Sequence, residues 1–407
     1  MSWSVKSIDD ITEVVTKGTT PSTYGMPFTD EGINFVKAEA LNGDVTLDRS
    51  GFTFIDDETH EKLKRSKLHQ DDVLVTIAGA NVGKCGYVRP SDVPANTNQA
   101  VGIVRVKKEE ANPRYIYYHF KNPSTFAMCQ GIGGGQAAQP NINLTMLKGF
   151  KVNMPDLENQ NRIVGVIGAY DDLIENNKRR IELLEESARQ LYKEWFVRFR
   201  FPGHEHVKII NGVPEGWQAG IISDFYQTSS GGTPSRKVLE YYGGDINWVK
   251  TQELNNGFIF ETSEKITSEA IAKSSAKLFP ERAVLVAMYG ATIGELGILA
   301  AESASNQACC ALIAKTELAH YIHAYLFLLE NKSGLIGRSK GAAQNNISQD
   351  IIKNYDMVMP SSLLMEQFID YVDPIFSQIK FLTLEDQKLT KARDLLLPKL
   401  MNGEVAV

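Results

Sequence analysis

Residues 158–199, ENQNRIVGVIGAYDDLIENNKRRIELLEESARQLYKEWFVRF, decide how the rest of the chain is read. Two series step by seven through them: Ile163, Tyr170, Asn177, Leu184, Leu191 and Ile167, Ile174, Ile181, Ala188, Trp195. Mostly apolar residues at that spacing line one stripe of a helix and mark it as one that packs along another helix. Only Asn177 interrupts the pattern. An amphipathic helix inside a globule carries a similar stripe, but about forty residues at 1.5 Å each make a rod of roughly 60 Å, longer than most domains are wide. Glu175, Lys178, Arg179, Arg180, Glu182, Glu185 and Glu186 fall mostly off the seam, as on a solvated or partner-facing side. A second helix must be supplied.

Outward from this stretch, the chain is one unit written twice. Gly18-Thr19-Thr20-Pro21-Ser22 returns as Gly231-Gly232-Thr233-Pro234-Ser235, and Ile33-Asn34-Phe35-Val36-Lys37 returns at the same offset as Ile246-Asn247-Trp248-Val249-Lys250. Val73-Leu74-Val75 with Gly79-Ala80-Asn81-Val82-Gly83 corresponds to Val284-Leu285-Val286 with Gly290-Ala291-Thr292-Ile293-Gly294. Asn98-Gln99-Ala100 matches Asn306-Gln307-Ala308, 137–142 matches 342–347, and Met154-Pro155 matches Met359-Pro360. Repetition on this scale sets architecture. Each unit reads as mixed α/β (α+β), with strands expected at 33–37, 73–77, 101–106 and 150–154 and a helix at 113–129 after Asn112-Pro113.

After the second copy, Phe368, Ile375, Leu382, Leu389 and Leu396 again step by seven, which supplies the missing helix. Pro374 removes a backbone donor and is expected to kink or restart it, and Asp386 and Arg393 near its seam suggest looser packing. Arg200-Phe201-Pro202-Gly203 stops the first helix and Pro214-Glu215-Gly216-Trp217 opens the second unit. The expected order is a globular unit at 1–157, a helix at 158–200, a linker at 201–216, a second unit at 217–360, and a helix with C-terminal tail at 361–407. Antiparallel packing of the two helices would give a pseudo-twofold molecule presenting two similar surfaces at a set spacing, in effect a ruler.

Composition narrows the function. The 407 residues are 43% hydrophobic and 23% charged, within globular norms. No apolar run approaches a membrane span, and MSWSVKSIDD lacks the pattern of an export signal, so a cytoplasmic protein with no membrane partner is expected. The four cysteines have no CxxC spacing and are read as reduced thiols rather than a zinc site. A net charge of −6 argues mildly against gripping nucleic acid alone, because phosphate neutralisation calls for a basic face that a partner would have to add.

Catalytic motifs fail one by one. Gly79 to Lys84 suggests a phosphate loop, but only three residues separate its glycines, Cys85 stands where Ser or Thr would meet magnesium, and the second copy has Glu295 in place of the lysine. A tight turn required by both units is the better reading. The seven histidines form no HExxH pattern, so no metal site is expected. A methyltransferase would need an Asn/Asp-Pro-Pro-Tyr/Phe loop around a flipped base, and Asn153-Met154-Pro155-Asp156 lacks the second proline and the aromatic.

The units do repeat loop residues suited to base edges and phosphates: Asn and Gln for adenine, Ser and Thr for either, Arg and Lys for guanine or phosphate. The candidate DNA contacts are Lys17, Thr19, Thr20, Ser22, Tyr24, Gln136, Gln139, Asn141 and Asn143 in the first unit. Those of the second are Thr233, Ser235, Arg236, Lys237, Tyr241, Lys340, Gln344, Asn345 and Asn346. Residues that match between units, such as Thr20 with Thr233 and Gln139 with Gln344, are read as turn-building. Those that differ, Tyr24, Arg236, Lys237 and Lys340, are the better candidates for specificity.

The chain as a whole resembles the specificity subunit of type I restriction-modification systems. The resemblance rests on Ala188-Arg189-Gln190-Leu191-Tyr192-Lys193-Glu194-Trp195-Phe196 with Phe201-Pro202-Gly203, on Gly212-Val213-Pro214-Glu215-Gly216-Trp217, on Leu395 to Glu404, and on the duplicated Gly-x-Thr-Pro-Ser. It implies two target-recognition domains joined by an antiparallel helical spacer, each reading part of a split double-stranded DNA target, with two methyltransferase subunits docked and restriction or translocase subunits in the full complex. S-adenosylmethionine, ATP and magnesium would then belong to partner subunits, with no cofactor on this chain. A free-standing methyltransferase or nuclease, and a scaffold binding only proteins, are the competing readings.

Overall fold

The computed structural model of the chain describes residues 3–133, 141–338 and 346–407. It divides into two compact units, Met1–Asn176 with Asp386–Val407 and Asn177–Glu385, so each unit keeps one half of each long helix.

The first unit is built on two four-stranded sheets. One runs Thr12–Lys17, Val101–Val106, Val73–Thr76, Cys85–Tyr87, all antiparallel. The other runs Phe52–Ile55, Ile33–Val36, Ala95–Thr97, Lys67–Leu68, with its two central strands parallel. Strand alternation explains why 73–76 is buried throughout and 73–75 apolar: Val73 and Val75 enter one core while Leu74 enters the other. Val284 and Val286 against Leu285 and Ala287 repeat this division in the second unit. There the corresponding orders are Tyr226–Ser230, Cys309–Ala314, Val284–Ala287, Leu296–Leu299, Gly257–Ile259 and Lys265–Ile266, Tyr242–Val249, Ser303–Ser305, Leu278–Phe279. A two-stranded antiparallel ribbon ends each unit, Ser4–Ser7 with Lys151–Met154 and Gln218–Ile221 with Asp356–Met359.

The helix expected at 113–129 is two helices, Pro113–Lys121 and Pro123–Gly133. Pro123 lacks an N–H and drives the residue before it out of the helical region, and Asn122 has a ψ of 129°. Asn112 starts the first of them by accepting hydrogen bonds from the N–H groups of Arg114 and Tyr115.

The long helices are Leu157–Tyr192, closed by a π-turn at Lys193–Val197, and Ser362–Met401. In the first unit Ile163 and Ile167 share a core with Leu397 and Leu400, and in the second Ala188, Tyr192 and Trp195 share one with Phe368, Val372, Phe376 and Ile379. Early residues of one helix thus meet late residues of the other, an antiparallel pairing. Ile174 and Asn177 are buried, Leu382 is buried, and Tyr170, Ile181, Leu184, Leu191, Ile375, Leu389 and Leu396 are half-buried. The second helix does not restart at Pro374. Both Pro374 and Asp370, whose carbonyl loses its usual donor, are on the exposed side, so the missing bond is not buried. Nor does Arg393 loosen the seam, because its guanidinium donates to Asp171 Oδ1 at 2.8 Å. The close packing is aromatic at the other end, where the Phe196 and Phe368 rings meet edge to face at 4.7 Å.

His323 lies in this aromatic core with no exposure, and its Nε2 has no hydrogen-bond partner among the described residues. Burial pushes its pKa down to about 3 from 6.5. The unfolded chain takes up that proton below pH 6.5 and the folded unit does not until about 3, so the second unit loses stability as pH falls through that window. Glu185 acts oppositely: burial and Glu182 raise its carboxyl to about 7, giving stability that is complete below 4.5 and lost as pH rises through 7. His323→Gln is therefore expected to flatten the acid limb of a urea-midpoint profile below pH 6.5. An acid limb of unchanged slope would show that His323 does not set it.

Candidate nucleic-acid interface

Backbone bonds join the Gly-x-Thr-Pro-Ser loop, the Asn-Gln-Ala turn and the chain around Ile77 and Ile142, or Met288 and Ile347, at one edge of each unit. In the first unit the Gly18 N–H donates to the Val101 carbonyl (3.1 Å), Thr19 N–H to Thr97 (3.0 Å), Ile77 N–H to Ala100 (2.8 Å) and Ile142 N–H to Ile77 (2.8 Å). The Thr20 hydroxyl donates to Gln99 Oε1. The second unit repeats these bonds one for one: Gly231 N–H to Cys309 (3.1 Å), Gly232 N–H to Ser305 (2.9 Å), Met288 N–H to Ala308 (2.8 Å), Ile347 N–H to Met288 (2.7 Å), and the Thr233 hydroxyl to Gln307 Oε1. Loops far apart in sequence are thus stitched into one rim by backbone bonds that impose almost no side-chain identity. The turns at 79–83 and 290–294 belong to this rim. Their end glycines have φ of 93°, 88°, 89° and 78°, left-handed values that explain why both copies keep glycine there.

On this rim Lys17, Ser22 and Tyr24 are exposed and Thr19 is half-buried, with Pro21–Tyr24 forming a 3-10 turn closed by Gly25. Asn141 is exposed and bridges to Ala78, while the Asn143 side chain caps Leu144–Gly149 by accepting from Met146 N–H. In the second unit Thr233, Ser235, Lys237 and Asn346 are exposed, and the Tyr241 hydroxyl donates to the Lys273 carbonyl at 3.4 Å. The Arg236 guanidinium lies 4.4 Å from the Tyr242 ring centre and 5.3 Å from that of Trp248, and pairs with Glu264 at 2.6 Å. Gln136, Gln139, Lys340, Gln344 and Asn345 lie outside the described residues.

Several functional-looking groups at the rim were not candidates in the sequence. Gln99 and Gln307 lock the Gly-x-Thr-Pro-Ser loop, and the repeated Asn-Gln-Ala was the available signal. Phe28, exposed, stacks edge to face on Phe35 at 5.2 Å and carries Lys37 at 4.9 Å, a grouping with no local sequence signature. Among the described residues no cluster of three or more His, Cys, Asp or Glu is placed to hold a metal, and no helix is long and apolar enough to cross a membrane.

The family model for the type I restriction modification DNA specificity domain matches residues 1–186 and again 214–390. The chain belongs to this specificity family. A specificity subunit recognises DNA, carries no catalysis of its own and acts with other subunits of a restriction-modification complex, which agrees with a rim of polar loops. Relatives include the type I restriction enzyme MjaIX specificity subunit of Methanocaldococcus jannaschii, 27% identical, covering 100% of this chain and 94% of the relative. The HindI specificity subunit of Haemophilus influenzae is 26% identical over 65% of this chain and 71% of its own length. Among solved structures, the type I restriction-modification S subunit from M. genitalium covers 98% of this chain and 96% of its own at 15% identity, with a TM-score of 0.61, a likeness of fold.

Proposed function

We propose that each unit of this specificity subunit reads one half of a split double-stranded DNA target, using the rim where its repeated motifs meet. The observation that carries this reading is the contrast between the rims. The hydrogen bonds that build them are identical in the two units, whereas the exposed side chains on them differ: Thr23 and Tyr24 stand where the second unit has Arg236 and Lys237. One scaffold with two sets of reading groups suits two different half-sites.

Two methyltransferase subunits dock on this chain, and restriction or translocase subunits join the full complex. S-adenosylmethionine, ATP and magnesium are held by those partners, which work in the cytoplasm, and basic partner surface offsets the net charge of −6 on this chain. The number of unread base pairs between the half-sites depends on the two long helices. Exchanging residues 217–360 for those of another family member is expected to change one half of the methylated motif and leave the other intact, read by sequencing methylated adenines. A change in both halves would end the modular reading.

A further inference from the structure

We infer that Arg236 is the residue through which the second unit reads a guanine. The inference rests on the reading of that unit as a half-site reader and deepens it. Most exposed arginines are mobile, but Arg236 is held from three sides. Its guanidinium lies over Tyr242 and Trp248 and one terminal nitrogen is ion-paired with Glu264 at 2.6 Å. The backbone that carries it is pinned as well: the Trp248 indole N–H donates to the Gly232 carbonyl at 3.1 Å and the Tyr242 hydroxyl to the Pro234 carbonyl at 2.7 Å. Despite this, the side chain is 57% exposed.

A guanidinium has five N–H donors in a planar fork. Glu264 engages one terminal nitrogen and the two rings lie beside the guanidinium, and with the side chain 57% exposed donors remain to face the groove. Guanine presents two acceptors, N7 and O6, in the major groove, spaced for such a fork, whereas adenine replaces the second acceptor with an amino donor that opposes it. A phosphate contact needs no such orientation, since any flexible cation satisfies it. The Glu264 carboxylate does not neutralise the site, because Lys250 also stands 3.1 Å from it and the three groups together keep one positive charge.

The first unit provides the contrast. The position matching Arg236 is Thr23, and the cation over the aromatic rings there is Lys37, the counterpart of Lys250, at 4.9 Å from Phe28. A lysine is a point charge without a fork, so this device for guanine exists at this place only in the second unit.

The test uses the full chain in complex with its methyltransferase partners, with Arg236→Ala and Arg236→Lys, titrated against duplexes changed one base pair at a time. Both variants are expected to weaken the intact target about ten- to a hundredfold and to lose discrimination at a single base pair of one half-site, with the other half-site read as before. Arg236→Lys keeps the charge and the stacked stem, so its failure to discriminate isolates the fork from folding or bulk electrostatics. Glu264→Gln, which loosens the support, is expected to lose part of the same discrimination. Weakening that is uniform across all duplexes, with a shallower salt dependence and an unchanged methylated motif, would assign Arg236 to a phosphate and overturn the inference. So would unchanged binding by both variants. Neither result would touch the two-half-site reading, which stands or falls on the exchange of residues 217–360.

Discussion

Replacing Asp171 with alanine is expected to destabilise the first unit by about 3–5 kcal/mol, the cost of taking from the buried Arg393 guanidinium its buried partner and leaving it only the exposed Asp394 carboxylate, 2.9 Å from its Nε. Asp171 and Arg393 are 222 residues apart in sequence, and their side chains are 1% and 7% exposed. The carboxylate accepts from Arg393 on one oxygen at 2.8 Å and from the Tyr118 hydroxyl on the other at 2.7 Å, and Lys121 Nζ stands 3.8 Å away. One acid thus satisfies groups from both long helices and from Pro113–Lys121. Burial pulls the Lys121 ammonium pKa down while Asp171 pushes it up, so removal of the acid leaves two crowded cations and pulls the Lys121 pKa down further. Pairing Asp171→Leu with Arg393→Met is expected to restore most of the loss, because the attraction of a buried ion pair mainly offsets its own desolvation. Hydrogen exchange of Pro113–Lys121 reads the effect on the first unit by itself, which a whole-chain melt does not. A cost below about 1 kcal/mol for the single variant would mean water reaches the pair and the network is not holding the helices.

The second large effect is on target recognition. A Cβ added at Gly18 would sit 2.1 Å from the Thr97 carbonyl oxygen and 2.3 Å from that of Asn98. One added at Gly231 would sit 2.3 Å from the Ser305 carbonyl oxygen. Those neighbours are backbone, part of the strands and turns of the sheets, and have no rotamer by which to withdraw. Gly18→Ala or Gly231→Ala must therefore lift the loop from the rim and break the Thr20–Gln99 or Thr233–Gln307 bond. Each single variant is expected to lower affinity for the methylation target at least about tenfold, or 1.4 kcal/mol, while leaving the fold intact by circular dichroism. Gly165→Ala is the control, since its Cβ would meet nothing within 4 Å and a helical alanine is favoured over glycine. Normal methylation by a complex carrying Gly18→Ala would show that the rim tolerates displacement and is not the reading surface.

Much of the fold was legible because its signals are local. The run Val101–Val106 declared itself by its β-branched residues, and the strand expected at 150–154 is Lys151–Met154, ending before Pro155. The paired glycines of 79–83 and 290–294 declared a turn because left-handed backbone is needed in both copies. Where local rules misled, a neighbour outweighed them. Pro123 split a helix that hydropathy alone would have continued. Pro374 left one intact because its lost bond faces water.

The sequence by itself determined the duplication, the two long helices, a few of the first unit's strands (Ile33–Val36, Val73–Thr76, Val101–Val106 and Lys151–Met154) and the family, since periodicity and repetition are carried by neighbours along the chain. Tertiary structure alone decided which loops share an edge and which side chains on it are free. The turn-building role read for Thr20 gains its partner only in the fold, where its hydroxyl donates to Gln99, and Arg236, one of several candidates for specificity, is set apart by Tyr242, Trp248 and Glu264 around it. Arg393 looked like a defect in the seam and proved to be the partner of Asp171. In each case the deciding group lies far away in the chain. Its presence follows from sheet topology and helix register, which hydropathy and spacing do not encode residue by residue.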